Sequence, residues 1–316
     1  MVSYLFEGRE LVCDDQSLDV GIVLTGILIC LVDAFVGWRS VWESWRLVPA
    51  IVLLKFLLLF ALSHVIRAWR IYLFKSQSLG LGYGLTKKFS LVHQSLNNPL
   101  PMRLGEASYP LLMRRYSSVS LMDATFDLLW LRVLDFIVMG SLSIFVVMSY
   151  ASPPLATAAM FVFLVGGCAV LSWARFVSAG TQPSIGNQVT MMSVLRRLGG
   201  RGPSTMGRLC LLLVLTICAW AAKVAAIVIL AAALTDLPWL TLIGGIVAGE
   251  VSGVLPVHGI AGAGTYEAAF VAGAIAGGDA FDKLLLTSVS VHVFVISTTC
   301  LLALFSLPLG GHRTQV

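Results

Sequence analysis

The sequence predicts an all-α polytopic membrane protein, and three observations support this fold class. Hydrophobic residues make up 58% of the 316 residues and charged residues only 12%, and the mean hydropathy is +0.91. Soluble domains average roughly half apolar and a quarter charged residues. Several apolar stretches reach the about 20 residues that a helix needs to cross a bilayer. No polar block of about 100 residues remains for a soluble domain, so we expect one membrane domain over residues 1–316.

Six stretches are long enough for full transmembrane helices. Two further regions are interrupted, one by Asn97-Asn98-Pro99-Leu100-Pro101 and the other by Pro256 to Gly264. The pieces on either side are too short to cross a hydrocarbon core of about 30 Å at about 1.5 Å per residue. We therefore expect two re-entrant or broken helical hairpins, at Phe89 to Arg115 and Leu240 to Gly277. The six predicted spans are Leu18 to Trp38, Leu47 to Phe74, Ala124 to Tyr150, Leu155 to Phe176, Arg208 to Leu234 and Lys283 to Leu307.

Charged loops predict the orientation. The loop of about 177–207 holds Arg196, Arg197 and Arg201 and no acid, so the positive-inside rule places it in the cytoplasm. Counting spans from this loop puts Arg114-Arg115 inside. Lys75, Lys87 and Lys88 are then also inside only if the first hairpin returns to the side from which it entered. The second hairpin then enters from the other face. Two features fit the rule less well, since Arg39 to Arg46 falls outside and the acidic N-terminus falls inside.

Hairpins that enter from opposite faces are typical of an inverted repeat, in which they meet near the middle of the bilayer. The first repeat would cover about 18–150 and the second about 155–307, and the second includes the basic loop of about 177–207. The plasma (inner) membrane is the expected location, and the acid-rich N-terminus is unlike the basic start of a cleaved signal peptide.

Other composition features exclude several classes. The net charge of +5 is not a nucleic-acid signature, and the six cysteines form no Cys-x-x-Cys pair, so we expect small buried thiols. The sequence predicts no cofactor and no metal, and it indicates no oligomeric state.

Ionisable groups inside spans are costly and usually face a cavity or a partner. Arg103 and Glu106 are three apart, as are Arg132 and Asp135, and each pair shares one helix face. Asn98 and Pro99 would begin one half-helix, and Thr265 would cap another with Glu267 in its first turn. The predicted substrate-binding residues are Arg67, Arg103, Glu106, Arg132, Asp135, Lys223, Glu250, His258, Tyr266 and Glu267.

Structural roles compete with this interpretation. Arg132 with Asp135 can be a structural ion pair, and Lys223 can simply neutralise Glu250. Lys55, Arg70 and Lys75 are expected to reach the interfaces by snorkelling.

At these residues the chain resembles the lysylphosphatidylglycerol synthase transmembrane family, also called the flippase-like domain family. The resemblance rests on Pro101 to Glu106, Leu131 to Asp135, and Leu255-Pro256 through Gly264-Thr265-Tyr266-Glu267. It implies movement of a lipid, often aminoacylated or glycosylated, between leaflets. Some relatives carry an additional soluble aminoacyl-transfer domain, which is absent here, so tRNA-dependent synthesis is not implied. Ala261 and Ala263 make the second loop less rich in glycine than the family pattern, so cargo preference is not carried over.

The leading hypothesis is therefore a non-enzymatic lipid flippase or lipid-handling transporter, whose partner is a membrane lipid. An intramembrane serine hydrolase is the second, because Ser252 lies near His258 in sequence and His292 follows, although no Gly-x-Ser-x-Gly motif is present. A third is a non-transporting scaffold for an envelope-lipid biosynthesis enzyme.

Overall fold

The computed structural model describes residues 26–97, 105–179, 197–253 and 260–306. Five helices of these ranges are long and apolar enough to cross a membrane, in agreement with five of the six predicted spans. The sixth, Leu18 to Trp38, lies partly outside the described residues, which show an apolar helix over its second half. The helices are α1 (Gly26–Phe35), α2 (Trp38–Arg46), α3 (Ala50–Ile71), α4 (Tyr83–Asn97), α5 (Ser108–Tyr116), α6 (Leu121–Ser149), α7 (Pro153–Ala179), α8 (Met206–Leu234), α9 (Trp239–Ser252), α10 (Thr265–Ala274) and α11 (Phe281–Ser306).

The C-terminal end of α3 lies beside the N-terminal end of α6. After Ile71 the helix continues through a π-helical turn, Tyr72–Ser76, and a 3₁₀ turn. Lys75 Nζ lies 3.4 Å from Asp127 Oδ1 of α6, and Arg201 Nη2 lies 2.6 Å from Asp127 Oδ2. We call the face of the bundle that carries these residues the loop face. The span α3 ends at the loop face and α6 begins at it. The hairpin formed by α4 and α5 therefore starts and ends at the loop face, as predicted for a re-entrant hairpin.

Arg201 also connects the segment before α8 to α6 through its ion pair with Asp127. Burial lowers the pKa of its guanidinium, but the hydrogen bonds and charge of Asp127 outweigh this and hold the pKa above its usual value. Trp130 Nε1 donates to the Leu198 carbonyl in the same region. The segment is thus held at the loop face by both charge and hydrogen bonding.

The second hairpin returns to the opposite face. Its two arms, α9 and α10, pack closely because Gly244 and Gly273 face each other: a Cβ added at Gly244 would lie 2.5 Å from the Gly273 oxygen. Gly277, just after α10, touches Thr241 at the start of α9. Small residues allow this approach between membrane helices. The two broken helices therefore enter from opposite faces, as the sequence predicts.

Helices of the two halves of the chain pack directly against each other. The spans α3 and α8 pack side by side in antiparallel directions, with Ser63 Oγ donating to the Ala219 carbonyl at 2.8 Å and Arg70 Nη1 donating to Thr216 Oγ1 at 2.8 Å. Each hairpin also packs against a span of the other half, α4 against α11 and α9 against α6. Packing across the two halves brings polar side chains of both halves to the centre of the bundle.

Candidate functional site

Asp135 is the centre of a buried ionic network. It is the middle residue of α6, which runs from Leu121 to Ser149, and its side chain is 8% exposed. Arg70 Nη1 donates to Oδ1 at 2.7 Å and Arg70 Nη2 to Oδ2 at 3.2 Å. Trp220 Nε1 of α8 donates to Oδ1 at 3.0 Å, and Arg132 Nη1 donates to Oδ2 at 3.3 Å. The two carboxylate oxygens together accept four hydrogen bonds, two from Arg70 and one each from Trp220 and Arg132, so Asp135 is a saturated acceptor.

Arg132 joins this carboxylate to the first hairpin. Its Nη2 lies 2.7 Å from Glu106 Oε1, and its Nε donates to Glu106 Oε2 at 3.1 Å. The same Nη2 lies 3.3 Å from His93 Nε2. Two-pronged contact of guanidinium with carboxylate is the geometry that favours arginine over lysine.

Hydrogen bonds around His93 define its tautomer. Ser108 Oγ donates its one hydrogen to the Gly105 carbonyl at 2.6 Å, so in the contact of 2.9 Å with His93 Nδ1 the imidazole is the donor. Nε2 is then the acceptor that faces Arg132. His93 of α4 thereby helps to position Arg132 through Nη2, while Asp135 accepts from Nη1.

Trp220 links these residues to a second ion pair. Lys223 Nζ of α8 donates to Glu250 Oε2 of α9 at 2.6 Å. The Lys223 ammonium lies 5.4 Å from the Trp220 ring centroid, and the Arg67 guanidinium lies 4.3 Å from it. Aromatic faces attract cations at these distances. The indole therefore contacts two cations through its ring while its N–H binds an anion.

We call this group the midplane cluster. Among the described residues, its four cations face three acids, which leaves one positive charge in excess. The cluster consists of Arg67, Arg70, Arg132 and Lys223 with Glu106, Asp135 and Glu250, together with His93 and Trp220.

Arg67 is the cation with the weakest protein contacts. Its Nη1 lies 4.0 Å from Asp135 Oδ1, which already accepts from Arg70 and Trp220. Within the part of the chain that the structure describes, its guanidinium makes no hydrogen bond, although Arg67 is only 8% exposed. A buried guanidinium with unused donors is suited to bind an anion.

The second hairpin carries a corresponding acid–base pair. Glu267 Oε1 lies 2.6 Å from His292 Nδ1 of α11, and both residues are buried. Glu106 and Arg132 are 26 residues apart, and Glu267 and His292 are 25 apart. In each half, then, a glutamate of the hairpin's second arm pairs with a basic residue on the following span, Arg132 in the first half and His292 in the second.

Glu267 and Tyr266 also shape the start of α10. Glu267 Oε2 accepts the N–H of Gly264 at 2.7 Å, so the helix begins at Thr265 with Gly264 as its N-cap. Our expectation that Thr265 caps the helix was wrong, because Thr265 Oγ1 donates to the Gly262 carbonyl instead. Tyr266 stacks on His292 with ring centroids 4.1 Å apart.

Six of the ten predicted site residues meet in the midplane cluster. Glu267 and Tyr266 lie in the separate pair on α10 and α11, and no contact among the described residues joins Glu267 to Glu106. Arg103 and His258 lie outside the described residues, and so does the predicted half-helix start at Asn98. The six are Arg67, Glu106, Arg132, Asp135, Lys223 and Glu250.

Four further residues of these two groups, and Lys75 at the loop face, were not predicted as site residues. Arg70 was expected to snorkel, but it is 3% exposed and bonds Asp135. Lys75 was expected to snorkel as well, and it pairs with the buried Asp127. His93, Trp220 and His292 were not predicted as partners; a charged or hydrogen-bonding group at the middle of a predicted span is the signal that would have indicated the last two.

The fold and site thus define a polytopic helical membrane protein with two re-entrant hairpins and an ionic cluster at its centre. The family model of the lysylphosphatidylglycerol synthase TM region matches residues 19–304. The chain therefore belongs to this family, which connects it with membrane lipids. A comparison with curated proteins found no match.

Proposed function

We propose that the protein is a lipid flippase or lipid-handling transporter that moves an anionic, aminoacylated or glycosylated lipid between leaflets. The observation that carries this proposal is the excess positive charge of the midplane cluster, together with the unused donors of Arg67. A charge at the centre of a membrane protein is costly unless it has a partner. A lipid phosphate would supply a partner for the charge that the described residues leave unpaired.

Arg67 and Arg132 are the groups that we assign to the phosphate. Arg132 has the more accessible side chain, 32% exposed against 10% for Arg67, so it is placed to meet the ligand first. Arginine holds phosphate oxygens through two parallel N–H donors. Glu106 is bound to Arg132 at 2.7 Å. When a phosphate takes its place on Arg132, Glu106 would be available to pair with a cationic head group such as an aminoacyl amine.

Binding of an anion at this position would also balance the cluster. Among the described residues the cluster has one cation more than it has acids, and a phosphate would supply a matching negative charge. A lipid without this charge lacks that gain, so the site distinguishes anionic from neutral head groups by electrostatics rather than by shape.

For the orientation we propose that the loop of about 177–207 is cytoplasmic and that the membrane is the plasma (inner) membrane. The loop face carries Lys75, Arg197, Arg201 and Arg208, and the segment from 177 to 207 contains no acid. This distribution is what the positive-inside rule favours.

Contacts around Ser252 and His292 favour a transporter over a serine hydrolase in which His292 is the base; the other candidate base, His258, lies outside the described residues. Ser252 Oγ donates its hydrogen to the Gly249 carbonyl at 2.7 Å, and His292 Nδ1 is engaged with Glu267. A serine nucleophile needs a base within hydrogen-bond reach of its hydroxyl. We therefore propose that Ser252 closes the C-terminal turn of α9.

The test is a leaflet-resolved transport assay in proteoliposomes that contain fluorescent phosphatidylglycerol. Arg67→Gln should slow transport at least about tenfold, because a charge-assisted hydrogen bond contributes about 1.5–3 kcal/mol. Lys55→Gln is the matched control, since Lys55 is an exposed cation on the same helix, and it should leave the rate unchanged. Wild-type protein that moves no lipid faster than empty vesicles would contradict the proposal.

The scaffold hypothesis predicts a different result. A scaffold would co-purify with an envelope-lipid enzyme and support that enzyme's activity even with Arg67→Gln. Transport loss in this variant, with the enzyme's activity in the same membranes unchanged, would favour the transporter.

A further inference from the structure

A cavity lies at the loop face, outside the midplane cluster. It has a volume of about 130 Å³ and lies between the C-terminal end of α3 and the start of α8. One water molecule needs about 10–15 Å³ of such space, so a phosphate group fits. The lining residues are Leu73, Phe74, Lys75, Ser78, Gly202, Pro203, Ser204, Arg208, Leu211 and Leu212.

The polar lining of the cavity is suited to an anion. It presents two cations, Lys75 and Arg208, and two hydroxyls, Ser78 and Ser204, with no acid. Lys75 shares the carboxylate of Asp127 with Arg201, which holds that carboxylate at 2.6 Å and 3.0 Å. Arg201 therefore engages both oxygens of Asp127, and the Lys75 ammonium, 3.4 Å from Oδ1, retains donors for the cavity.

Arg208 has no acidic partner among the described residues. The segment 180–196 contains no acid either, and the acids outside the described ranges all lie within residues 1–25. Because Arg208 lies in the first turn of α8, its guanidinium stands at the end of a membrane span. With respect to the described residues, it is an exposed cation without an acidic partner at the end of a span.

The apolar part of the lining distinguishes a lipid from a free anion. Leu73 and Phe74, on the π-helical turn that continues α3, and Leu211 and Leu212 on α8 form walls that continue along two membrane-spanning helices. A soluble anion gains nothing from such walls, whereas a lipid places its phosphate on the cations and its acyl chains along the leucines. Basic pockets between spans commonly bind anionic head groups in this way.

We infer that this cavity binds the head group of an anionic phospholipid, with Arg208 and Lys75 on its phosphate. The site is independent of the proposed transport route, since it shares no residue with the midplane cluster. We call it the interfacial lipid site, lined by Lys75, Ser78, Ser204 and Arg208.

The experiment is native mass spectrometry of the full chain in detergent, titrated with dioleoylphosphatidylglycerol. Arg208→Gln should weaken one bound lipid about fivefold, the contribution of one cation near an anionic lipid. Arg114→Gln, which removes an exposed arginine at the end of α5, should change affinity less than about twofold. Ser204→Trp should weaken the same lipid without changing charge, because the indole fills the cavity.

Three results would overturn the inference. Equal weakening by Arg208→Gln and Arg114→Gln would show a general charge effect. Displacement of the lipid by inorganic phosphate at equal phosphate concentration would show a free-anion site. Loss of the lipid in Arg67→Gln but not in Arg208→Gln would assign it to the midplane cluster, which would leave the transport proposal standing and this one refuted.

Discussion

Trp220 and Asp135 are each the central residue of a 29-residue helix, and they are hydrogen-bonded to each other at 3.0 Å. Asp135 belongs to α6 of the first half and Trp220 to α8 of the second. The bond therefore joins the two halves at the middle of the membrane, and its geometry fixes the position of the ring beneath Arg67.

Trp220→Phe should remove the N–H donor while keeping an aromatic ring for Arg67. A hydrogen bond to a charged group contributes about 1.5–3 kcal/mol, so the free energy of unfolding should fall by about that amount. Trp220→Leu should cost more, because it also removes the cation–π contact. Chemical denaturation in detergent gives the values, and Trp173→Phe on the exposed side of α7 is the control. Equal stability of wild type and Trp220→Phe would refute the role assigned to the indole N–H.

Asp135→Asn should leave Arg67, Arg70 and Arg132 without their shared counter-charge. Breaking a buried ion pair from one side costs about 3–5 kcal/mol, so we expect a large loss of thermal stability. Asp282→Asn, an exposed carboxylate at the start of α11, should be nearly neutral. Thermal melting of the purified variants distinguishes the two, and comparable melting temperatures would contradict the central position of Asp135.

The spans and most of the site residues could be predicted from the sequence for one physical reason. Charges such as Asp135, Lys223 and Glu250 stand out in apolar runs, and burial of a charge demands a partner. The choice of partner depends on helix rotation and tilt, which periodicity does not determine. Arg70 shows this: its place near the end of a predicted span suggested the interface, whereas the π-helical turn after Ile71 extends the helix and leaves Arg70 a full turn inside.

Glu267 and His292 should be energetically coupled to each other but not to Arg132. In a double-mutant cycle, Glu267→Gln with His292→Gln should show an interaction energy of about 0.5–3 kcal/mol, as expected for residues in contact. Glu267→Gln with Arg132→Gln should be additive within about 0.5 kcal/mol. Unfolding free energies of wild type, the three single variants and the two double variants test this. Strong coupling in the second cycle would show that the two pairs form one network.

Gly273→Ala should destabilise the second hairpin. The new Cβ would lie 2.5 Å from both the Gly244 oxygen and the Ala248 Cβ, and overpacking of this kind costs about 1–3 kcal/mol. Gly166→Ala on α7 is the control, because no atom lies within 4 Å of its added Cβ. Alanine is the better helix former by about 1 kcal/mol, so this control should be neutral or slightly more stable. A melting temperature of Gly273→Ala at or above that of wild type would contradict the close approach of the two arms.

Each hairpin packs against a span of the other half, and this has a consequence for biosynthesis. Because α4 packs against α11, the first hairpin completes its packing only when the last span has left the ribosome. The early helices must therefore wait in the bilayer with polar groups such as His93 and Glu106 incompletely enclosed. Truncation before α11 should expose these groups to lipid and to quality-control proteases, even though all residues of the first half are present.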